Sequence, residues 1–344
     1  MSATGPMAIL GAFALFTAAG LRSAEPSLPA CMAGPPAAIT VRIGSEAAPR
    51  RAWLRGGISP PLEVIDAESS ASLWTAAAWP PASQRFDALR AQFAGSLLPL
   101  DLDGDGIHDR VYAGDLAGRL WRFDLHHGQP AERWATGGVF ADLSSGALRG
   151  FVAPPDVSLS APAGEPGFSI ALGTARLGPA PVDNRFYVLR DGAAFESWTQ
   201  LQYDRWRALR ESDLARLPRL GATLPAPAPN GYFIEVPGAD ILSPALTVSG
   251  QATLAIADAG SLGPGCSIAA TVSSIDLVTG GETGMAAAAS ARDARLTVLA
   301  VAGEAFALLR EGSRASCMLG NTHIPSCDVD LSPRRTWWRR EDAD

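Results

Sequence analysis

The sequence predicts an all-β fold. Three observations carry that expectation: a heavy load of glycine and proline, a short strand-and-turn unit that recurs along the chain, and little helical periodicity. Of 344 residues, 35 are Gly and 27 are Pro, about 18% of the chain, where a share of about 12% is usual. Gly costs about 1 kcal/mol and Pro about 3 kcal/mol in a helix interior, so this load disfavours a helical bundle. With 47% hydrophobic and 18% charged residues, the chain still has enough apolar side chains for a sizeable core.

From the N-terminus, Met7 to Leu21 (MAILGAFALFTAAGL) is apolar and ends in small residues. That is the length of a signal-peptide core and short for a membrane span, although the preceding MSATGP lacks a basic residue. Residues 1–24 are therefore expected to be a signal peptide or an apolar N-terminal segment, and residues 25–59 an extension with an early strand at Ile39–Ile43. No later run is apolar enough to cross a membrane. The recurring unit follows: Val64-Ile65-Asp66-Ala67, Trp121 to Leu125, Tyr187 to Asp191 and Ser274 to Leu277 each place an Asp in an alternating or β-branched segment. Such alternation makes a half-buried strand, and the Asp with a nearby Gly makes the turn. Further strands are expected at Arg110–Tyr112, Phe168–Leu172, Tyr232–Val236, Ala245–Val248, Thr253–Ala257, Leu296–Ala300 and Ala305–Leu309. Many short strands between turns suggest a sandwich, barrel or propeller. One segment departs from this: Leu201 to Leu217 has Leu201, Trp206, Leu209, Leu214 and Leu217 at near-helical spacing before Pro218, which predicts a helical insertion near residues 201–217.

The formal charge is −7, and all 28 basic residues are Arg. A net acidic chain lacks the clustered cations that a nucleic-acid partner needs. Cys31, Cys266, Cys317 and Cys327 form no CxxC pattern, so zinc and thioredoxin-type chemistry lack their usual spacing, and four cysteines leave three pairings open.

The strongest local signal is Asp101-Leu102-Asp103-Gly104-Asp105-Gly106-Ile107-His108-Asp109. Oxygen ligands at positions 1, 3, 5 and 9, with Gly at 6, match a compact calcium loop in which Asp101, Asp103, Asp105 and Asp109 converge and Ile107 offers its backbone carbonyl. Four carboxylates on one turn repel one another unless a cation stands between them. The loop is not an EF-hand, because Tyr112 occupies position 12 where a bidentate Glu is needed. His108 is expected to point outward, His126 and His127 to be solvated turn residues, and His323 to lie in a loop. No GxSxG, HExxH or P-loop pattern is present, which argues against an enzyme. The Arg334 to Arg340 tail is expected to be a final strand with its Trp side packed and Arg outward.

From Asp101 to Leu125, DLDGDGIHDRVYAGDLAGRLWRFDL resembles the signature of the PilY1-like type IV pilus biogenesis proteins. In that family a calcium loop leads into a strand and the pattern Tyr-x-Gly-Asp-Leu-x-Gly-x-Leu-Trp-Arg-Phe-Asp, matched here by Tyr112, Gly114, Asp115, Leu116, Gly118, Leu120, Trp121, Arg122, Phe123 and Asp124. Phe151 to Val157, Leu172 to Arg176, Asp183 to Asp191, Gly231 to Phe233, Ser243-Pro244, Cys266, Ile275 to Gly280 and Arg335 to Arg339 resemble later family segments. The likeness spans roughly residues 60–340. Ala175 stands where the family has Gly.

The resemblance implies a quinoprotein-alcohol-dehydrogenase-like β-propeller over residues 60–340, with calcium in the 101–109 loop. It implies an exported, non-enzymatic protein of the periplasm, outer membrane, cell surface or pilus tip. Its role would lie in pilus extension and retraction, twitching and sometimes adhesion, with pilin or minor pilin subunits and a surface or host ligand as partners. A calcium-dependent adhesin and a quinoprotein-type dehydrogenase are the alternatives, the second weakened by the lack of an adjacent Cys-Cys pair. Family members are usually much longer, so whether the propeller closes stays open.

Overall fold

The computed structural model describes residues 36–45, 48–57, 59–78, 82–87, 89–144, 149–160, 166–177, 182–248, 250–258, 270–287, 295–301, 304–311, 314–319 and 322–324. The apolar N-terminal segment, the Arg334–Arg340 tail, Cys31, Cys266 and Cys327 lie outside them. The fold is all-β and propeller-like. Among the described residues, five sheets of four or five strands follow one another along the chain.

The first sheet holds Ala37–Val41, Arg50–Gly56, Leu62–Asp66, Ser72–Ala77 and Gln84–Arg85. Its first two strands precede residue 60; the first pairs with the second and the second with the third, so these two strands of the stretch expected as an extension are part of the first sheet. The second sheet is the antiparallel run Leu97–Leu100, Arg110–Gly114, Arg119–Leu125 and Ala135–Asp142. The third contains Asp156–Ser160, Gly167–Gly173, Asn184–Asp191 and Gly231–Val236. The fourth is built on Gln251–Asp258 and Ala270–Asp276, and the fifth runs from Arg295–Val301 to Thr322–Ile324. Strands of neighbouring sheets touch: Ala37–Val41 meets Leu97–Leu100, and Asp156–Ser160 meets Leu246–Val248, which pairs with Gln251–Asp258 of the fourth sheet.

Period-two alternation explains how the sheets stack. In the second sheet Val111, Ala113, Trp121 and Phe123 pack with Ile39, Leu54, Val64 and Trp74 of the first. The intervening Tyr112 and Leu120 turn the other way, onto Ile170, Tyr187 and Leu189 of the third. The third sheet repeats the device, with Phe186 and Val188 facing Ile241, Leu254, Ile256 and Ile275 of the fourth. Strands covered on both faces read as nearly continuous apolar runs, and each large side chain so buried stabilises by about 1.5–3 kcal/mol.

The segment expected to be a helical insertion is α-helical only at Gln200–Arg205, with one 3-10 turn at Glu211–Asp213. Thr199 caps that helix, its side chain accepting from Gln202 N while Gln202 Oε1 accepts from Thr199 N at 2.8 Å. Beyond it the chain extends. Leu209–Arg210 adds a parallel strand to the second sheet, and Ala215–Leu217 adds one to the third. The open edges of two sheets offer backbone partners, and that pairing overrides a modest helical pattern. The segment becomes a strap over the sheet rims, continued where Leu224 N donates to Thr279 O at 2.8 Å beside the fourth sheet.

Candidate functional site

The acidic loop joins two antiparallel neighbours, Leu97–Leu100 and Arg110–Gly114. Its ends are tied by Asp109 N donating to Leu100 O at 2.8 Å and Leu125 N donating to Asp109 O at 2.7 Å. Gly104 and Gly106 adopt φ of 79° and 87°, a left-handed backbone that L side chains rarely take. No atom lies within 4 Å of a Cβ built at either, so backbone conformation rather than crowding requires glycine.

Asp101, Asp103 and Asp109 each offer a carboxylate oxygen, all within 4.8 Å of one another. Asp101 also accepts from Gly104 N at 2.7 Å and Gly106 N at 2.8 Å. Asp109 Oδ2 accepts from Leu102 N at 2.7 Å. Asp105 is not in that group: its carboxylate accepts from Ile107 N at 2.7 Å. Ile107 buries its side chain, so its expected role rests with its backbone carbonyl.

The histidines are more engaged than the sequence suggests. His108 is half-buried; its Nδ1 accepts from Thr40 N at 3.0 Å, and burial holds its pKa below the ordinary histidine value. His127 Nε2 stands 3.3 Å from Asp109 Oδ1, so it faces a carboxylate of the loop. His126 Nε2 bonds Thr136 Oγ1 at 2.9 Å. These adjacent rings leave the turn after Arg119–Leu125 toward different partners, and no sequence spacing announces the contacts.

The long signature that follows the loop is buried and serves the fold. Gly114 lets Phe151 approach, since a Cβ there would sit 2.5 Å from Phe151 Cβ. Asp115 accepts from Ala117 N, Arg119 N, Arg119 Nε and Trp121 Nε1 at 2.7–2.9 Å, fixing the turn and the indole together. Arg122 bonds Asp124 at 3.1 Å and Asp191 of the third sheet at 3.0 Å, with its guanidinium 4.2 Å from the Trp198 ring centroid. Arg110 Nε donates to Asp124 Oδ1 at 2.6 Å. Asp124 Oδ2 takes the Tyr203 hydroxyl at 2.7 Å and Trp198 N at 2.9 Å, and the Tyr112 hydroxyl donates to Asp191. Two Arg and two Asp, each at most 2% exposed, thus balance in charge between the second and third sheets. Burial pushes the Tyr112 and Tyr203 hydroxyls well above their ordinary pKa, so both stay protonated donors. Sequence reasoning missed this network; Arg122 and Asp124, two residues apart on one strand, are its one local signal. Ala175, which replaces the expected Gly, lies on an extended strand paired with Gly150, where Ala is unstrained. Cys317 lies on Arg314–Leu319 and His323 on Thr322–Ile324, so His323 is on a strand rather than in a loop.

No protein-family model matches the chain. A type IV pilus biogenesis factor PilY1 homolog of Xylella fastidiosa is 44% identical over 54 residues, 16% of this chain and 3% of that protein. The match thus spans a small fraction of the relative's length. The crystal structure of the Pseudomonas aeruginosa PilY1 C-terminal domain superposes with a TM-score of 0.56 at 14% identity, covering 83% of this chain and 72% of that one. A quinohemoprotein alcohol dehydrogenase of Comamonas testosteroni gives a TM-score of 0.39 at 10% identity, over 85% of this chain and 44% of that one, too low to carry an argument. This chain thus shares the fold of the PilY1 C-terminal domain and, over one 54-residue segment, is similar in sequence to a PilY1 homolog.

Proposed function

We propose that the protein is an exported, non-enzymatic, calcium-binding factor of type IV pilus biogenesis, acting in pilus extension and retraction through pilin or minor pilin subunits. The observation that carries this is the 54-residue likeness to a pilus biogenesis factor, on a chain with the fold of a PilY1 C-terminal domain. Calcium takes six to eight oxygens at about 2.3–2.6 Å, so two ligands on opposite sides of one ion stand about 4.6–5.2 Å apart. The carboxylates of Asp101, Asp103 and Asp109 fall within that span, and water with the Ile107 carbonyl fills the remaining positions. Among the described residues, no helix is long and apolar enough to cross a membrane.

The test is a strain lacking the gene, scored for surface pili and twitching, with pull-down of pilins on the purified protein. Loss of pili or twitching, restored by the gene in trans, is the expected result; normal piliation and motility refute the proposal. A second reading, a calcium-dependent surface adhesin not required for assembly, is favoured by the exposure of Phe195 (61%) and Leu159 (62%), two large apolar side chains. It predicts normal pili with lost surface attachment. A quinone absorbance in the purified protein would instead support a dehydrogenase, and none is expected.

A further inference from the structure

We propose that His108 couples the acidic loop to the first sheet, so that a divalent cation in the loop tightens the seating of that sheet on the second. The proposal rests on the calcium reading above. Thr40 lies on Ala37–Val41, a strand at the edge of the first sheet, opposite Arg51. Both of its backbone polar groups turn away from Arg51 and toward the loop. Thr40 O accepts from His108 N at 3.1 Å, and Thr40 N donates to His108 Nδ1 at 3.0 Å. His108 therefore acts as one residue of strand laid along the sheet edge, using its ring as the acceptor that a backbone carbonyl would otherwise supply. Because Nδ1 accepts, the neutral ring carries its proton on Nε2.

A second set of bonds reaches the same stretch. Gly128 N donates to Arg42 O at 3.0 Å, and Gly44 N donates to Gln129 O at 2.7 Å. The turn that supplies them contains His127, whose ring faces Asp109. The backbone from Thr40 to Gly44 is thus held at two places, both adjoining Asp109: one by the residue before it in sequence, one by the turn that touches its carboxylate.

Asp101, Asp103 and Asp109 repel one another, and the loop's bonds among exposed residues are open to water. Local opening of such a segment is cheap compared with global unfolding. Each opening that displaces His108 releases both Thr40 groups at a sheet edge. A cation that binds only the closed loop disfavours the open form by mass action, and His108 transmits that bias to Thr40.

Hydrogen–deuterium exchange at Thr40 tests this, measured with calcium and with chelator, alongside calorimetric calcium titration of the same samples. The wild type, His108→Ala and His108→Asn are compared, the Asn amide oxygen being able to accept the same N–H. The expectation is that calcium binds wild type and His108→Ala equally. It slows Thr40 exchange about tenfold in wild type, equivalent to about 1.4 kcal/mol, has no such effect in His108→Ala, and regains part of it in His108→Asn. Equal slowing in His108→Ala overturns the coupling while leaving the calcium reading intact. Calcium binding without slowing in wild type does the same, and decides the matter even if His108→Ala fails to fold. Absence of calcium binding to wild type overturns the calcium reading and the coupling with it.

Discussion

Asp124 is the residue whose removal should cost the fold most for the least change in shape. It accepts from Arg110 Nε at 2.6 Å, Arg122 at 3.1 Å, the Tyr203 hydroxyl at 2.7 Å and Trp198 N at 2.9 Å. Asp124→Asn keeps the volume but leaves Arg122 with Asp191 as its one carboxylate partner and Arg110 with only the carbonyls of Ala193, Ala194 and Glu196, both guanidiniums being 0% exposed. It also places an NH2 group against donors that need an acceptor. Breaking a buried ion pair from one side costs about 3–5 kcal/mol, because the remaining charge stays desolvated. With about 2.1 cal/mol/K of unfolding entropy per residue over 344 residues, each kcal/mol moves the melting temperature by about 1.4 °C, so a drop of about 4–7 °C is expected. Thermal melts and urea titrations of wild type and variant measure it. Asp124→Ala should fall at least as far, since a cavity is added. A loss below about 1 kcal/mol for Asp124→Asn, the scale of an exposed pair, would refute the view that the signature is a dry staple between two sheets.

Further outcomes follow from individual contacts. Gly114→Ala forces a Cβ to within 2.5 Å of Phe151 Cβ and should destabilise by about 1–3 kcal/mol, read as a lower urea midpoint. Burial lowers the pKa of His126 in the folded state; the unfolded chain then binds the proton more readily, so stability is full at pH about 7 and falls as pH drops through the unfolded value of about 6.5. His126→Gln should flatten that part of the urea-midpoint profile. Glu235 is held below the usual carboxylate range mainly by its hydrogen bond from Arg216; its contribution is present above the unfolded value of about 4.3 and lost as pH falls below it, as melts of Glu235→Gln between pH 3 and 6 will show. Asp103→Ala should abolish the calorimetric calcium signal and leave the chelator melting temperature unchanged or raised, because it removes one of three mutually repelling carboxylates.

Much of the strand pattern was legible in the sequence because its cause is local. The alternation around Trp121–Leu125 and Tyr187–Asp191 is the alternation of two buried faces. The spacing of Asp101, Asp103 and Asp109 predicted their meeting because a tight glycine-bearing turn leaves few other arrangements. Asp105 fits the same spacing, yet its carboxylate turns to Ile107 N, a competition between local acceptor and ligand roles that spacing alone cannot resolve. The 201–217 segment misled for a different reason: helical periodicity is a local preference, and the edges of two distant sheets outbid it. The contacts of His108 with Thr40 and of Arg122 with Asp191 cross 68 and 69 residues. They depend on how sheets stack, which no local pattern encodes.

The most direct test joins the two halves of the proposal in one count. Surface pili are scored on a strain lacking the gene and carrying, in trans, either the wild-type gene or Asp101→Ala/Asp103→Ala, with calcium and with chelator. The account predicts that the wild-type gene restores pili in a calcium-dependent manner, and that the double variant, expressed at equal level, gives a pilus number insensitive to calcium. Calcium-dependent piliation that persists in the double variant would contradict it.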